Sequence, residues 1–144
     1  MLVFGVKFRL GLIGRDWQSQ LYAVIGNVCK GIDGVMPLAI GGFKDHVHVL
    51  ISTNGDVADN EIVRKIKSES SRWVNKHRLC VGRFGWQEGA GKFSYTKSDV
   101  PAVKAYIDNQ QAHHTDVSYR DEYIAMLRNL GYPIADDTIP GELE

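Results

Sequence analysis

Two histidines separated by one apolar residue, His46 and His48 around Val47, are the sharpest chemical feature of the sequence. If this segment is a β-strand, alternate side chains share a face, so both imidazoles point one way while Val47 and Val49 point into a core. The two histidine Cβ atoms would then lie about 7 Å apart, which is two strand rises. Imidazoles at that separation can hold one metal ion or one phosphate, although a strand that carries two histidines by chance is the commoner case.

A later segment, 103–114, has the apolar spacing of an amphipathic helix and carries a tyrosine. At about 100° per residue, Tyr106, Gln110 and His113 line up along one side of that helix. In most helices a tyrosine beside an apolar stripe is a core-edge residue whose hydroxyl reaches water. Here Gln110 would also place a neutral oxygen ligand one turn from the phenol. Such a helix, packed against the histidine strand, would bring a third metal ligand and a nucleophile to the same place.

The combination of two imidazoles, an amide and a phenol suits phosphoryl transfer at DNA. A phenol has an ordinary pKa of about 10 and is a weak nucleophile at neutral pH. A metal ion could polarise the phosphate, stabilise the developing charge and assist the phenolate. The phosphotyrosine product would store the bond energy, so rejoining would need no ATP. Imidazoles alone favour zinc or a similar ion, whereas phosphate and carbonyl oxygens favour Mg²⁺ or Mn²⁺, and the sequence leaves this choice open.

The segments that must position these groups alternate between strands and helices. Strands are predicted over 2–10, 35–40, 43–51 and 92–96, and helices over 16–31, 59–75, 101–114 and 118–131. The pair Gly41-Gly42 is predicted to form a bend between two strands. This order predicts an α+β protein with a ferredoxin-like, RRM-like antiparallel sheet, helices on one face, and a C-terminal helix that carries the tyrosine. We expect one domain over 1–132 and an acidic, mobile tail over 133–144.

The formal net charge of zero hides an uneven charge distribution. The last twelve residues hold four acids and no base, and without them 17 bases face 13 acids. Within 58–83, seven bases face three acids. The helix predicted there could track phosphates, although the solvated face of an amphipathic helix explains the bases about as well. The candidate DNA-binding residues are Lys44, beside the histidine strand, and Arg64, Lys65, Lys67 and Arg72.

Other kinds of site are disfavoured. Cys29 and Cys80 are far apart and outside any CxxC spacing, so neither a disulfide framework nor a thiolate zinc site is indicated. The N-terminal segment lacks the charge order of a signal peptide. No apolar run approaches the length of about 20 residues that spans a bilayer. The expected location is therefore the cytoplasm, with no membrane partner.

With these residues in place, the sequence resembles the single-tyrosine transposases of the HUH superfamily. These are encoded by small bacterial insertion sequences, and a related group is associated with repetitive palindromes. The resemblance covers nearly the whole chain and includes the segments 41–48 and 86–89. Its most specific part is the motif Tyr-Ile-x-Asn-Gln-x-x-His-His over 106–114, which follows the histidine pair by about 58 residues.

The resemblance implies a role for each matched residue. His46 and His48 would be metal ligands, Gln110 the third ligand, and Tyr106 the nucleophile that becomes linked to a 5′-phosphate of single-stranded DNA. The cofactor would be a divalent metal, Mg²⁺ or Mn²⁺. The resemblance also implies a bacterial homodimer, in which the tyrosine of one subunit can complete the partner's histidine site. Its substrate would be single-stranded DNA with hairpins near the ends of a mobile element.

Other functions fit the sequence less well. A replication initiator or relaxase would share the nicking chemistry but usually needs a longer chain. A non-catalytic ferredoxin-like module that binds nucleic acid would display aromatic residues on its central strands, where this chain has His46 and His48. A domesticated enzyme acting on host palindromes would have the same sequence features as a mobile one.

Overall fold

The computed structural model describes residues 1–129 as an α+β fold, as predicted. The strands are β1 (Leu2–Gly5), β2 (Val35–Phe43), β3 (His46–Thr53) and β4 (Gly91–Lys92). The helices are α1 (Gln18–Lys30), α2 (Asp59–Lys76), α3 (Val100–Asp108), α4 (Gln110–Asp116) and α5 (Tyr119–Asn129). The four strands form one antiparallel sheet in the order β2-β3-β1-β4, so β3 is a central strand.

The two faces of the sheet carry separate apolar clusters. Val47 and Val49 of β3 belong to the cluster that includes the buried side chains of α1 and α2. Leu50 belongs to the other cluster, which includes buried side chains of α3 and α5. Because side chains alternate along a strand, His46 and His48 share the face of Leu50. The predicted separation of the histidines from the valines of β3 is therefore confirmed.

The glycine pair of β2 lies inside the strand, and the predicted bend at this pair is wrong. Gly41 and Gly42 pair with His48 and Val47 of β3, and the chain turns at 44–45 instead. A Cβ on Gly42 would lie 2.2 Å from the carbonyl oxygen of His46. A Cβ on Gly41 would lie 2.8 Å from the carbonyl oxygen of Ile107 in α3. The glycines are thus required for close approach of backbone on both sides rather than for a turn.

Several predicted boundaries also differ. The first strand ends at Gly5 rather than near residue 10, because Lys7 N–H donates to Gly85 O and Phe8 adopts a positive φ of 59° in a 3₁₀ turn. Helix α1 begins at Gln18, with Trp17 rather than Asp16 at its N-cap. The fourth strand covers only Gly91–Lys92. The tyrosine-bearing helix is interrupted at Asn109, which separates α3 from α4.

The last described helix begins where the sequence predicts it. Asp121 N–H donates to Ser118 Oγ at 3.1 Å, which satisfies one of the free amides at the start of α5. The predicted end of this helix, the domain boundary at 132 and the acidic tail from 133 lie outside the described residues. Within residues 1–129, no helix is both long and apolar enough to cross a membrane.

Candidate active site

The two histidines of β3 are fully buried, and their ring centroids lie 5.1 Å apart. His46 Nδ1 lies 2.8 Å from the carboxylate oxygen Oδ1 of Asp45. Burial has the largest effect on His46 and lowers its pKa, while the hydrogen bond to Asp45 acts in the opposite direction. A carboxylate can only accept, so in the neutral ring Nδ1 carries the proton and donates it to Asp45. The other ring nitrogen, Nε2, is left with its lone pair pointing into the site.

Helices α3 and α4 bring the predicted tyrosine and glutamine to these histidines. Gln110 Oε1 lies 2.9 Å from His46 Nε2, and the ring centroid of Tyr106 lies 5.6 Å from that of His48. The close approach of α3 to β2 at Gly41 allows this, since Ile107 packs directly on that glycine. One chain thus brings together all four residues that the sequence nominated for chemistry.

The residue at the centre of this cluster, Glu122, was not predicted from the sequence. Glu122, in the first turn of α5, is 4% exposed. Its Oε1 lies 3.1 Å from the Nε2 atoms of both His48 and His114, and 3.6 Å from that of His46. Its Oε2 accepts hydrogen bonds from the Tyr106 hydroxyl and, at 3.0 Å, from Gln110 Nε2. A single carboxylate therefore connects the nucleophile candidate with the imidazoles.

One sequence signal could have indicated Glu122. The buried face of α5 is formed by Tyr119, Tyr123 and Leu127, at the spacing of an amphipathic helix. Glu122 lies on the same face, three residues after Tyr119, and an acid on an apolar stripe is rarely buried without partners. The partners themselves come from distant segments, so the sequence does not name them.

The electrostatics of the cluster keep the phenol neutral and the carboxylate ionised. Burial, followed by the nearby charge of Glu122, raises the pKa of Tyr106 well above its usual range. Burial would also raise the pKa of Glu122, but the imidazoles of His114 and His48 around it outweigh burial and lower this pKa. The site therefore holds a buried anion beside a phenol that needs help to ionise.

Two aromatic contacts hold the cluster in place on the side of α4 and α5. The ring of Tyr119 stacks on that of His46, with a centroid distance of 4.2 Å and nearly parallel planes. The ring of His114 stacks on Phe43 at 5.6 Å. Between α3 and α5 a groove leads from solvent to Tyr106, His113 and Glu122. This groove is the approach by which another molecule can reach the phenol.

The candidate DNA-binding residues are divided between two parts of the molecule. Lys44 is exposed in the β2–β3 turn, two residues from His46. The α2 residues lie across the sheet from the histidines, because α2 packs on the opposite face. There Arg64, Lys65 and Arg72 line an open groove whose other basic residues are Lys76 and Arg83.

Two of these α2 cations already have partners within the chain. The guanidinium of Arg64 pairs with Glu61 one turn away. The ammonium of Lys67 donates to the carbonyl oxygens of Gln87 and Gly89, and it lies 5.4 Å from the centre of the Phe4 ring. Lys67 therefore fastens the 87–89 loop to α2, whereas Lys65 and Arg72 are exposed.

Comparison with known proteins assigns the chain to a family. The family model described as "Transposase IS200 like" matches residues 1–110, from β1 through Gln110. The structure is similar to the crystal structure of a protein assigned as a transposase from Deinococcus radiodurans R1, with a TM-score of 0.58 and 17% sequence identity. That match covers 76% of this chain and 87% of the other, and at this identity it supports the fold alone. A search of curated proteins finds no match.

Proposed function

Because this chain belongs to the family of IS200-like transposases, we propose that it cleaves and rejoins single-stranded DNA through a covalent bond between Tyr106 and a 5′-phosphate. His46, His48 and Gln110 would hold a divalent metal ion, Mg²⁺ or Mn²⁺, beside that phosphate. One observation carries the proposal: the phenol of Tyr106, the two imidazoles and the Gln110 amide converge on one point, although they come from segments about 60 residues apart. Convergence of a nucleophile and metal-ligating groups is what covalent phosphoryl transfer needs.

The donor set fits a cation. In the neutral ring of His46, Nε2 has a lone pair, since the proton is on the nitrogen that faces Asp45. Yet Nε2 faces the carbonyl oxygen of Gln110 and the carboxylate of Glu122, neither of which can donate to it. Three acceptors that point at one another repel unless a positive charge lies between them. Bound there, Mg²⁺ or Mn²⁺ would supply stabilisation of the charge that develops on the phosphate.

The reaction conserves the number of phosphodiester bonds. The Tyr106 oxygen loses its proton and forms a bond to phosphorus as the bond from phosphorus to the 3′ oxygen breaks. The departing oxygen takes up a proton, which leaves a 5′-phosphotyrosine and a free 3′-hydroxyl. The nearest acceptor for the phenol proton is Glu122 Oε2, which already receives the Tyr106 hydrogen bond. A different 3′-hydroxyl can then attack the phosphotyrosine and release the phenol. No ATP is required, because bond energy is kept in the covalent intermediate.

In our proposal, the DNA substrate and the oligomeric state of the active enzyme are those that the family resemblance implies. The substrate would contain DNA hairpins, and the active form would be a homodimer. Lys44, at the end of the sheet beside His46, and the exposed bases of α2 are the candidate contacts for DNA phosphates. In the described chain Tyr106 lies beside its own histidines, so the minimal site can form within one subunit.

The test is formation of a protein–DNA adduct that survives denaturation. Single-stranded oligonucleotides that contain hairpins are incubated with the protein, with and without Mn²⁺ or Mg²⁺, and the products are separated in denaturing gels. We expect an adduct that requires metal, is lost in Tyr106→Phe and in His46→Ala, and persists in the matched control Tyr95→Phe. An undiminished adduct in Tyr106→Phe would refute the assignment of the nucleophile and make Tyr95 the next candidate.

The same experiment separates the proposal from the alternative of a non-catalytic ferredoxin-like module that binds nucleic acid. Such a module would bind the oligonucleotide, in a band shift without denaturant, and give no covalent product under any metal condition.

A further inference from the structure

Helix α5 delivers a buried carboxylate to the proposed metal centre. We propose that Glu122 is a ligand of the metal ion held by His46, with His114 beside it, so that the ion joins α5 to the central strand of the sheet. This inference rests on the proposed metal site of the previous section. It adds residues that lie beyond the segment matched by the transposase family, which ends at residue 110.

The hydrogen bonds of His114 lead to the same tautomer as those of His46. His114 Nδ1 lies 2.5 Å from the carbonyl oxygen of Val117, which can only accept, so Nδ1 carries the proton. The Nε2 atom of His114 is buried and has no hydrogen-bond partner within residues 1–129. In the neutral ring this atom has a lone pair, and it lies 3.1 Å from Glu122 Oε1. A lone pair directed at a carboxylate is unfavourable without a cation between them.

The spacing of these atoms suits a single ion. Metal–ligand bonds to nitrogen and oxygen are about 2.0–2.2 Å for Zn²⁺ and Mg²⁺, so two ligands at 90–110° lie roughly 3.0–3.5 Å apart. The Glu122 Oε1 atom lies 3.1 Å from His114 Nε2 and 3.6 Å from His46 Nε2. Donor atoms of His46, His114 and Glu122 all lie within 4.8 Å of one another. The three groups can therefore coordinate one ion with small adjustments.

The Asp45 carboxylate and the Val117 carbonyl, which contact the Nδ1 atoms of His46 and His114, act as positioning groups. A metal-bound histidine usually donates its other ring N–H to a carboxylate or a backbone carbonyl, which fixes the tautomer. Asp45 does this for His46 and the Val117 carbonyl does it for His114. The two rings are thus prepared in advance to present Nε2 to an ion.

An ion held in this way would control access to the histidines. His46 and His48 have no exposed surface, and α5 covers them with Glu122 and with the Tyr119 ring stacked on His46. A DNA phosphate oxygen that binds this ion would take the place of Glu122 Oε1, while Glu122 Oε2 would still face the Tyr106 hydroxyl. Metal binding would therefore order α5, and substrate binding would remove one of the bonds that hold it.

The first test measures Mn²⁺ affinity by calorimetry in the absence of DNA. Glu122→Gln keeps the size of the side chain and its bond from Tyr106 but weakens it as a ligand. We expect Mn²⁺ affinity to fall roughly 10–100-fold, by analogy with the effect of altering groups around a metal site. Asp121→Asn is the matched control, since it removes one exposed acid from the same turn of α5 and should leave the affinity unchanged.

The second test follows the helix itself. Mn²⁺ should slow hydrogen exchange of the amides of 119–129 in the unaltered protein and should have no such effect in Glu122→Gln. Unchanged Mn²⁺ affinity and equal protection of α5 in both proteins would overturn the inference. The affinity measurement also separates the two proposals: loss of binding in His46→Ala but not in Glu122→Gln refutes only the role of Glu122. Wild-type binding in His46→Ala would refute the metal site altogether.

Discussion

The contact between Gly41 of β2 and Ile107 of α3 offers a way to move the proposed nucleophile without touching it. Replacing Gly41 by alanine adds one methyl group on the face of the sheet that carries α3. That methyl would lie 2.8 Å from both Cγ2 and the carbonyl oxygen of Ile107. Tyr106 precedes Ile107 in the same helix, so any shift of α3 displaces the phenol from the histidines.

The size of the effect follows from this overlap. Carbon atoms in ordinary contact lie about 3.5–4.0 Å apart, so α3 and β2 must separate by roughly 0.7–1.2 Å. The carbonyl contact is with backbone, so a change of side-chain rotamer cannot relieve it. Overpacking of this kind costs about 1–3 kcal/mol of stability. A misplacement near 1 Å at a reacting group costs up to about 100-fold in rate, so adduct formation should slow by roughly 10–100-fold.

The assay compares Gly41→Ala with Gly26→Ala, which makes the same chemical change on the other side of the sheet. A Cβ on Gly26 would lie 3.5 Å from Ile40 Cδ1, which is an ordinary contact, and Gly26 lies within α1. Alanine is favoured over glycine within a helix, so this control should be unchanged or stabilised by about 0.5–1 kcal/mol. Urea unfolding gives the stability of each variant, and the initial rate of adduct formation with a hairpin oligonucleotide gives its activity.

Two results would contradict this prediction. If Gly41→Ala lost stability but formed the adduct at the normal rate, the contact between β2 and α3 would not set the position of Tyr106. If Gly41→Ala were as stable as Gly26→Ala, small local shifts would relieve the overlap with Ile107. The close contact would then not be the reason that position 41 needs a glycine. Slower adduct formation with unchanged oligonucleotide affinity is the expected pattern.

Further predictions concern the basic helix and a buried phenol. Lys67→Ala should lower the unfolding free energy by about 1.5–3 kcal/mol, because it removes charged hydrogen bonds to Gln87 and Gly89, and should not alter the salt dependence of DNA binding. Lys65→Ala should show the opposite pattern. Its unfolding free energy should stay within about 0.5 kcal/mol of the original value. If Lys65 contacts a phosphate, the slope of log affinity against log salt concentration should become shallower by about 0.7. The hydroxyl of Tyr22 has no hydrogen-bond partner in the described part of the chain, and burial raises the pKa of Tyr22 to about 12. A raised pKa in the folded state favours folding only while the phenol stays protonated, so this advantage is lost as the pH rises from 10 towards 12. Tyr22→Phe should therefore match or exceed the original stability at pH 7, and its unfolding free energy should fall less between pH 10 and pH 12.

The parts of the fold that follow local periodicity could be predicted from the sequence. The alternation of His46, Val47, His48 and Val49 predicts which side chains share a face, and the structure confirms it. Helix α2 was likewise predicted to within one residue. The failures have a common cause, which is that long-range contacts decide them. Gly41 serves a close contact with Ile107, 66 positions along the chain, and local turn preferences cannot reveal such a contact.

The sequence predicted that the motif residues lie together, and their chemical roles stay predictions. His46, His48, Tyr106 and Gln110 lie together, as the hypothesis of a joint site requires. Glu122 was absent from that hypothesis because its neighbours come from β3, α3 and α4, and no spacing in the sequence links them. The sequence pattern places an acidic residue on the buried face of an amphipathic helix, but it does not indicate which residues contact that acid.

The metal proposal also explains why so many polar groups can be buried between apolar layers. His46, His48, Gln110 and Glu122 are each less than 5% exposed, and the surrounding residues on this face form an apolar cluster. An anion buried against the lone pairs of neutral His46 and His114 is unfavourable, whereas one divalent cation would turn these two contacts into bonds. Ligands that assemble only in the folded chain convert metal-binding free energy into folding free energy. The structure around α5 should therefore be the part of the protein whose stability depends most on metal.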